Sequence, residues 1–144
     1  MHQRQQIRAA VVATLNAVPA FANRVHATRL TPFDQKLLPR VCVYTLNENS
    51  GLDTASELLR QVSLQIEVIV AGFDQLDDVI DGHAVSIEKA IGANRTLGGA
   101  AFDCELTATA LSTHMDGEKK TGHGKLTYQV TYRTSAGDPE VNNP

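Results

Sequence analysis

The side chains in this 144-residue chain with most scope for chemistry are its five histidines and two cysteines. His114 and His123 bracket a Gly- and Lys-rich stretch with Asp116 between them, so two imidazoles and a carboxylate lie near one another in sequence. Structural zinc sites use ligand pairs roughly two to five residues apart, and this spacing fits none of them. No metal ligand is assigned. His83 falls beside the apolar stripe of a helical pattern and reads as a satisfied, half-buried side chain, while His2 and His26 stand alone. Cys42 and Cys104 lie far apart in strand-like runs without a CxxC partner, and read as small buried apolar residues. Cys104 and Glu105 are neighbours on a strand, where alternation sends them to opposite faces, so they make no nucleophile pair.

Carboxylates are plentiful but poorly placed for acid–base work. Asp74, Asp77, Asp78 and Asp81 crowd the start of a helical pattern, where they compensate the helix dipole. General acid–base catalysis needs two carboxyls in environments that push their pKa values apart, and nothing in the pattern marks one as buried. The glycines between Gly92 and Gly99 follow a helix, whereas a phosphate cradle follows a strand and opens a helix. No catalytic and no cofactor-binding residue is assigned. Two polar, Gly-bearing segments remain as contact loops, expected to be mobile in the free subunit. One is Asn47–Ala55, with Asn47, Glu48, Asn49, Ser50 and Asp53. The other is Met115–Gly124, with Asp116, Glu118, Lys119, Lys120 and His123. A ten-residue connection exceeds the roughly two to five usual for hairpins, and such excess commonly serves function.

These residues must be positioned by a small scaffold. The chain has one domain's length, 42% hydrophobic residues and no Trp, the composition of an ordinary folded protein. A formal net charge of -3 argues against a dedicated nucleic-acid binder, which carries a basic excess. No run reaches the ~20 apolar residues of a membrane span. The polar N-terminus leads into a helix rather than a signal-peptide core, giving the cytoplasm as the default address.

Ile7, Val11 and Leu15 recur every four residues and predict a helix over Gln3–Asn16, ended by Pro19. A short strand is expected over Asn23–Leu30, then a loop over Thr31–Asp34, then a strand apolar on both faces over Arg40–Leu46. Val62, Leu64, Ile66, Val68 and Val70 alternate with polar residues within a long strand, Glu57–Ala71. Their face is expected to pack on Ile80, Ala84 and Ile87 of a second helix, Gln75–Ile91, whose apolar set also includes Leu76 and Val79 and which Asp74 would cap. A strand over Phe102–Thr113, with Cys104, Leu106 and Ala108 on one face, pairs as a hairpin with Leu126–Arg133. The fold class is α+β: a mixed, mainly antiparallel central sheet flanked by two main helices. Residues 1–134 form one domain and residues 135–144 a flexible tail.

Four segments give this pattern a family likeness. IRAAVVATL (Ile7–Leu15), LPRVCVY (Leu38–Tyr44), VSLQIEVIV (Val62–Val70) and LTYQVTY (Leu126–Tyr132) occur in the order and rough spacing seen in phage tail terminators. The chain resembles these U-type minor tail proteins of long, non-contractile-tailed phages from its first helix to its last strand. The resemblance implies a structural protein without catalysis or cofactor. It would form a hexameric ring that caps the tail tube, ends tail polymerisation and provides the head-docking surface. The implied partners are copies of itself, the tail tube protein and a head–tail joining protein. No membrane and no sequence-specific nucleic acid is implied. The implied location is the bacterial host cytoplasm during assembly, then the virion tail. The Lys- and Gly-rich Met115–Gly124 segment and the longer C-terminus depart from the family, so no contact residue is carried over. The alternative is a small cytosolic ligand-binding domain or enzyme with a site built from loop residues. A nucleic-acid module is disfavoured by the acidic balance.

Overall fold

Strict apolar alternation is satisfied by burial of one sheet face, and here the helices cover that face. On the other face Cys42, Tyr44 and Ile69 form a second, smaller buried cluster with Leu38, as expected for a strand apolar on both sides. The computed structural model describes residues 1–28, 38–72, 74–116 and 119–143, with the side chains of Asp116 and Lys119 set aside. Helix α1 spans Gln3–Asn16 and α2 spans Leu76–Gly92. The strands are β1 (Val25–His26), β2 (Arg40–Thr54), β3 (Glu57–Gly72), β4 (Asp103–Asp116), β5 (Lys119–Ser135) and β6 (Asp138–Asn142). The sheet order is β1-β2-β3-β5-β4, with β6 also pairing β5. Among the described residues only the β1–β2 pair is parallel. The expected α+β architecture, a mainly antiparallel sheet flanked by two helices, is therefore observed.

Both helices lie on the same face. Ile7, Val11 and Leu15 of α1 and Leu76, Ile80, Ile87 and Ile91 of α2 join Val62, Leu64, Ile66, Val68 and Val70 of β3 in one apolar core, with Ala84 packed against it. This is the expected match of a period-two face to helical stripes. Val79 departs from it, being 42% exposed on the outer side of α2. Asp74 does not cap this helix either. Gln75 is the N-cap, in the left-handed region at φ 58°, and Asp77 and Asp78 occupy the first turn. Helix α1 begins with a side-chain cap: His2 Nδ1 accepts from the Arg4 amide at 3.1 Å, and Gln5 Oε1 accepts from the His2 amide at 3.2 Å.

The largest corrections concern the two expected loops. Asn47–Asp53 belongs to β2, which runs to Thr54 and turns through Ala55 and Ser56 into β3. The Met115–Gly124 segment is likewise mostly ladder, with β4 reaching Asp116 and β5 starting at Lys119. Hairpin pairing with the adjacent strand, such as Asn49 with Gln61 and Met115 with Lys120, overrides the weak strand propensity of Asn, Ser and Gly in both places. In β4 a bulge between Leu106 and Ala108 reverses the alternation. Cys104 and Leu106 sit on the helix side, but Ala108 moves to the open face. The expected short strand near Val25 is only two residues long among the described residues, and the expected Thr31–Asp34 loop lies outside them. The C-terminal segment, expected to fray, instead turns at Gly137 (φ 82°) and returns as β6, pairing Thr134 with Asn142.

Candidate functional site

Extending the alternation of β3 backward places Arg60 and Leu58 on the helix side, and the register places Glu48 and Ser50 of β2 there too. A charged pair on a covered face needs partners, because burying an ion without them costs several kcal/mol. Glu48 meets this need by turning inward. Its Oε2 accepts from Arg4 Nη1 at 2.7 Å and from Arg60 Nη1 at 3.1 Å, and its Oε1 accepts the Tyr132 hydroxyl. Arg60 Nε also donates to Thr134 Oγ1 at 2.9 Å. Tyr132 and Thr134 are fully buried. Burial and the Glu48 carboxylate together raise the Tyr132 pKa, so its hydroxyl stays a donor. Glu48, expected on a contact loop, is thus the centre of a structural network joining α1, β2, β3 and β5. Period-two counting beyond the obvious apolar run would have found Arg60 and Tyr132 as its partners.

The neighbours of Glu48 take different positions. Asn47 lies in the β2 irregularity between Thr45 and Glu48, and Asn47, Asn49 and Ser50 are exposed. Asp53 Oδ2 accepts from Arg133 Nε at 2.7 Å near the β2–β3 turn. At that same end the Ala136 amide donates to Ser56 O at 2.8 Å, which ties the two turns together.

The other expected contact residues gather at the far end of the sheet. The register pairs Glu57 with Ser135 at one end and Gly72 with Lys120 at the other. At about 3.3 Å per residue these ends stand about 50 Å apart. Lys120 lines an open groove of about 460 Å³ with Asp74, Gln75, Leu76, Asp77, Asp78, Thr113 and Met115. Asp116 of β4 and Lys119 of β5 are backbone ladder partners, and Glu118 lies outside the described residues. Gly122 and Gly124 are packing residues rather than hinges. A Cβ on Gly124 would stand 2.6 Å from Ile80 Cγ2, and one on Gly122 would stand 2.9 Å from Ile80 Cδ1. Their lack of a side chain lets α2 approach β5 closely.

His123 lies on the open face of β5. Its Nδ1 is 3.2 Å from Glu67 Oε2, and the Tyr44 hydroxyl donates to Glu67 Oε1 at 3.4 Å. These contacts, the His123 hydrogen bond first, hold the Glu67 carboxyl below its ordinary range. His114 and His123 do converge, with ring centroids 5.0 Å apart in an edge-to-face arrangement. Among the described residues, no three His, Cys, Asp or Glu side chains gather as a metal site. Cys42 and Cys104 are buried free thiols, as the sequence implies, and burial pushes the Cys104 thiol up to about 12. His83 is half-buried with its ring 5.4 Å from Phe21, and burial lowers its pKa. No described helix is long and apolar enough to cross a membrane.

What the arrangement offers is surface: two strand-built ends and a sheet face that carries His114, His123 and Glu67 beside the small buried cluster of Cys42, Tyr44 and Ile69. A family model described as phage minor tail protein U matches residues 2–132. Among solved structures, a chain from the virion of a native gene transfer agent particle aligns at 13% identity and a TM-score of 0.44. That alignment covers 86% of this chain and 93% of the other. No curated protein matches the sequence.

Proposed function

We propose that this chain, which belongs to the phage minor tail protein U family, forms a ring that caps the tail tube and ends its polymerisation. The capped end then serves as the docking surface for the filled head. Family membership itself gives the coarser statement: this is a structural protein of a phage tail. The observation that supports the finer reading is the placement of the two strand-built ends at opposite ends of β3 and β5. A cap must meet the tube on one side and a head–tail joining protein on the other, and the two ends supply such surfaces. The ring is taken as a hexamer, assembled in the host cytoplasm, without a catalytic step or cofactor. Closed rings follow from heterologous contacts whose rotation closes. Asn47, Asn49, Ser50, Asp53, Lys119, Lys120 and His123 are proposed contact residues, whereas Glu48 is assigned to holding the subunit together.

The test is tail length. Disrupting this gene in the phage that carries it should give overlong, headless tails in electron micrographs, restored to a uniform length by the chain supplied in trans. Headed tails of normal length without the protein would overturn the reading.

A further inference from the structure

β4 is an outer strand of the sheet. It pairs β5 on one side, and among the described residues nothing pairs the other. It lies across the sheet from β1 and β2, the strands that flank residues 29–37. The bulge at Thr107 twists only its start away. From Ala108 to Met115 the strand carries no Lys, Arg, Asp, Glu or Pro, and every residue is exposed. Natural sheets guard bare edges with such residues, because an open row of amides and carbonyls is a template for another strand. An edge left clean over about 25 Å is one that a partner covers.

The two faces of this edge differ. Toward α2 stand Leu111 and Met115, 48% and 67% exposed. On the opposite face are Ala108, Ala110, Ser112 and His114. The flank of α2 beside the edge is acidic. Asp77 and Asp78 line the groove with Thr113 and Met115, and Glu88 lines a smaller cleft with Cys104, Glu105 and Leu106. Asp81 follows Asp77 by one helical turn. All four carboxylates are exposed and, among the described residues, in no ion pair. The bases nearby are fewer. Arg95 of the cleft is held by Asp103 through two bonds of 2.8 Å, Lys125 on the open face stands opposite Glu67, and Lys120 is the lysine of the groove.

This charge decides the occupant. A second copy paired β4 to β4 about a two-fold axis normal to the sheet would keep both α2 helices on one face and turn their acidic flanks toward each other. Like charges so placed repel. A strand with Lys or Arg on the side facing α2 gains instead. Its cationic groups reach Asp77, Asp81 and Glu88, and their aliphatic stems cover Leu111 and Met115. Its alternate side chains fall over Ala108, Ala110 and Ser112, where β-branched residues fit.

We propose that the β4 edge receives an extended, basic segment of a different protein, added to the sheet as a further strand. Backbone hydrogen bonds to β4 supply affinity, and the α2 carboxylates select Lys or Arg at every second residue. The inference goes beyond the ring proposed above, since it names the chemistry of a partner whether or not copies close into a ring.

The probe is a synthetic peptide of about ten residues alternating Lys with Thr or Val, titrated at low salt into the isotope-labelled full-length chain and followed by NMR. Amide shifts should saturate with a Kd of about 1 mM or below and be largest over Ala108–Met115 and along α2. Asp77→Asn, Asp81→Asn and Glu88→Gln together should weaken binding by about tenfold or more, with circular dichroism establishing that the variant is folded. If the triple variant unfolds, Asp81→Asn with Glu88→Gln should still weaken binding. The same peptide with Glu in place of Lys should not bind. Neither should a Lys peptide methylated on every second backbone nitrogen, which keeps its charge but cannot pair. Absence of saturable shifts up to about 5 mM would overturn the inference. So would equal binding by the Glu peptide, or equal binding by the methylated one, which would leave a charge contact without strand addition. A chain that sediments as an oligomer and becomes monomeric on Ala110→Lys would make the occupant a second copy, and would overturn it too.

Discussion

The distal half of β2 and the start of β5 have the same kind of sequence and are held in place by different forces. Both are polar, glycine-bearing stretches outside the obvious apolar alternation. In β2 the segment is fixed by charge, because Glu48 gathers Arg4, Arg60 and Tyr132 from three other elements. In β5 it is fixed by the absence of side chains, because Gly122 and Gly124 admit Ile80 of α2 to the strand surface. A composition that reads as loop can therefore be strand for two unrelated reasons. One is a paired buried ion and the other a close helix contact. The strand ends beyond these supports, near Ser56 at one end and Lys120 at the other, are what remains for partners.

Removing Glu48 should be the most damaging way to probe this contrast. Glu48→Ala leaves Arg60 buried without its carboxylate and the Tyr132 hydroxyl without its acceptor. Breaking such a buried network costs about 3–5 kcal/mol. Denaturant unfolding measures it, and a loss below about 1 kcal/mol would show that water replaces the carboxylate, as at an ordinary surface pair.

A smaller loss is expected at the other end. Gly124→Val forces side-chain atoms against Ile80 and should cost about 1–3 kcal/mol by overpacking. Hydrogen exchange of the β4–β5 amides should rise while that of β2 near Glu48 stays protected. An unchanged midpoint in urea would mean that α2 is free to lift away, and the contrast between the two regions would fail.

The smallest stability effect belongs to the tip itself. Lys119→Glu with Lys120→Glu should change unfolding free energy by less than about 0.5 kcal/mol, since surface charges contribute little. In a complementation assay the same double variant should fail to complete tails, because Lys120 sits among Asp74, Asp77 and Asp78 at the proposed contact end. Normal tails from this variant would remove this end from the interface and leave Asn49, Ser50 and Asp53 as the contact residues to test.

The sequence by itself determined the elements whose periodicity is local. The stripes of α1 and α2 and the alternating face from Val62 to Val70 are readable because burial of one face imposes a period of 3.6 or 2. The burial of Cys42 and Cys104 follows from the same patterns. The order of these elements also carried the family likeness. Tertiary structure alone decided where strands end, because the hairpin extensions of β2, β4 and β5 are held by contacts from other elements, Glu48 by Arg4 and Tyr132 and Gly124 by Ile80. Thr107 shows this most plainly. One bulged residue, its hydroxyl donating to Thr127 O at 3.1 Å, sends Ala108 to the face opposite the one that counting assigns. Glu48 shows it in energy: a carboxylate reads as exposed in any local window, and only the convergence of Arg4, Arg60 and Tyr132 makes its burial affordable.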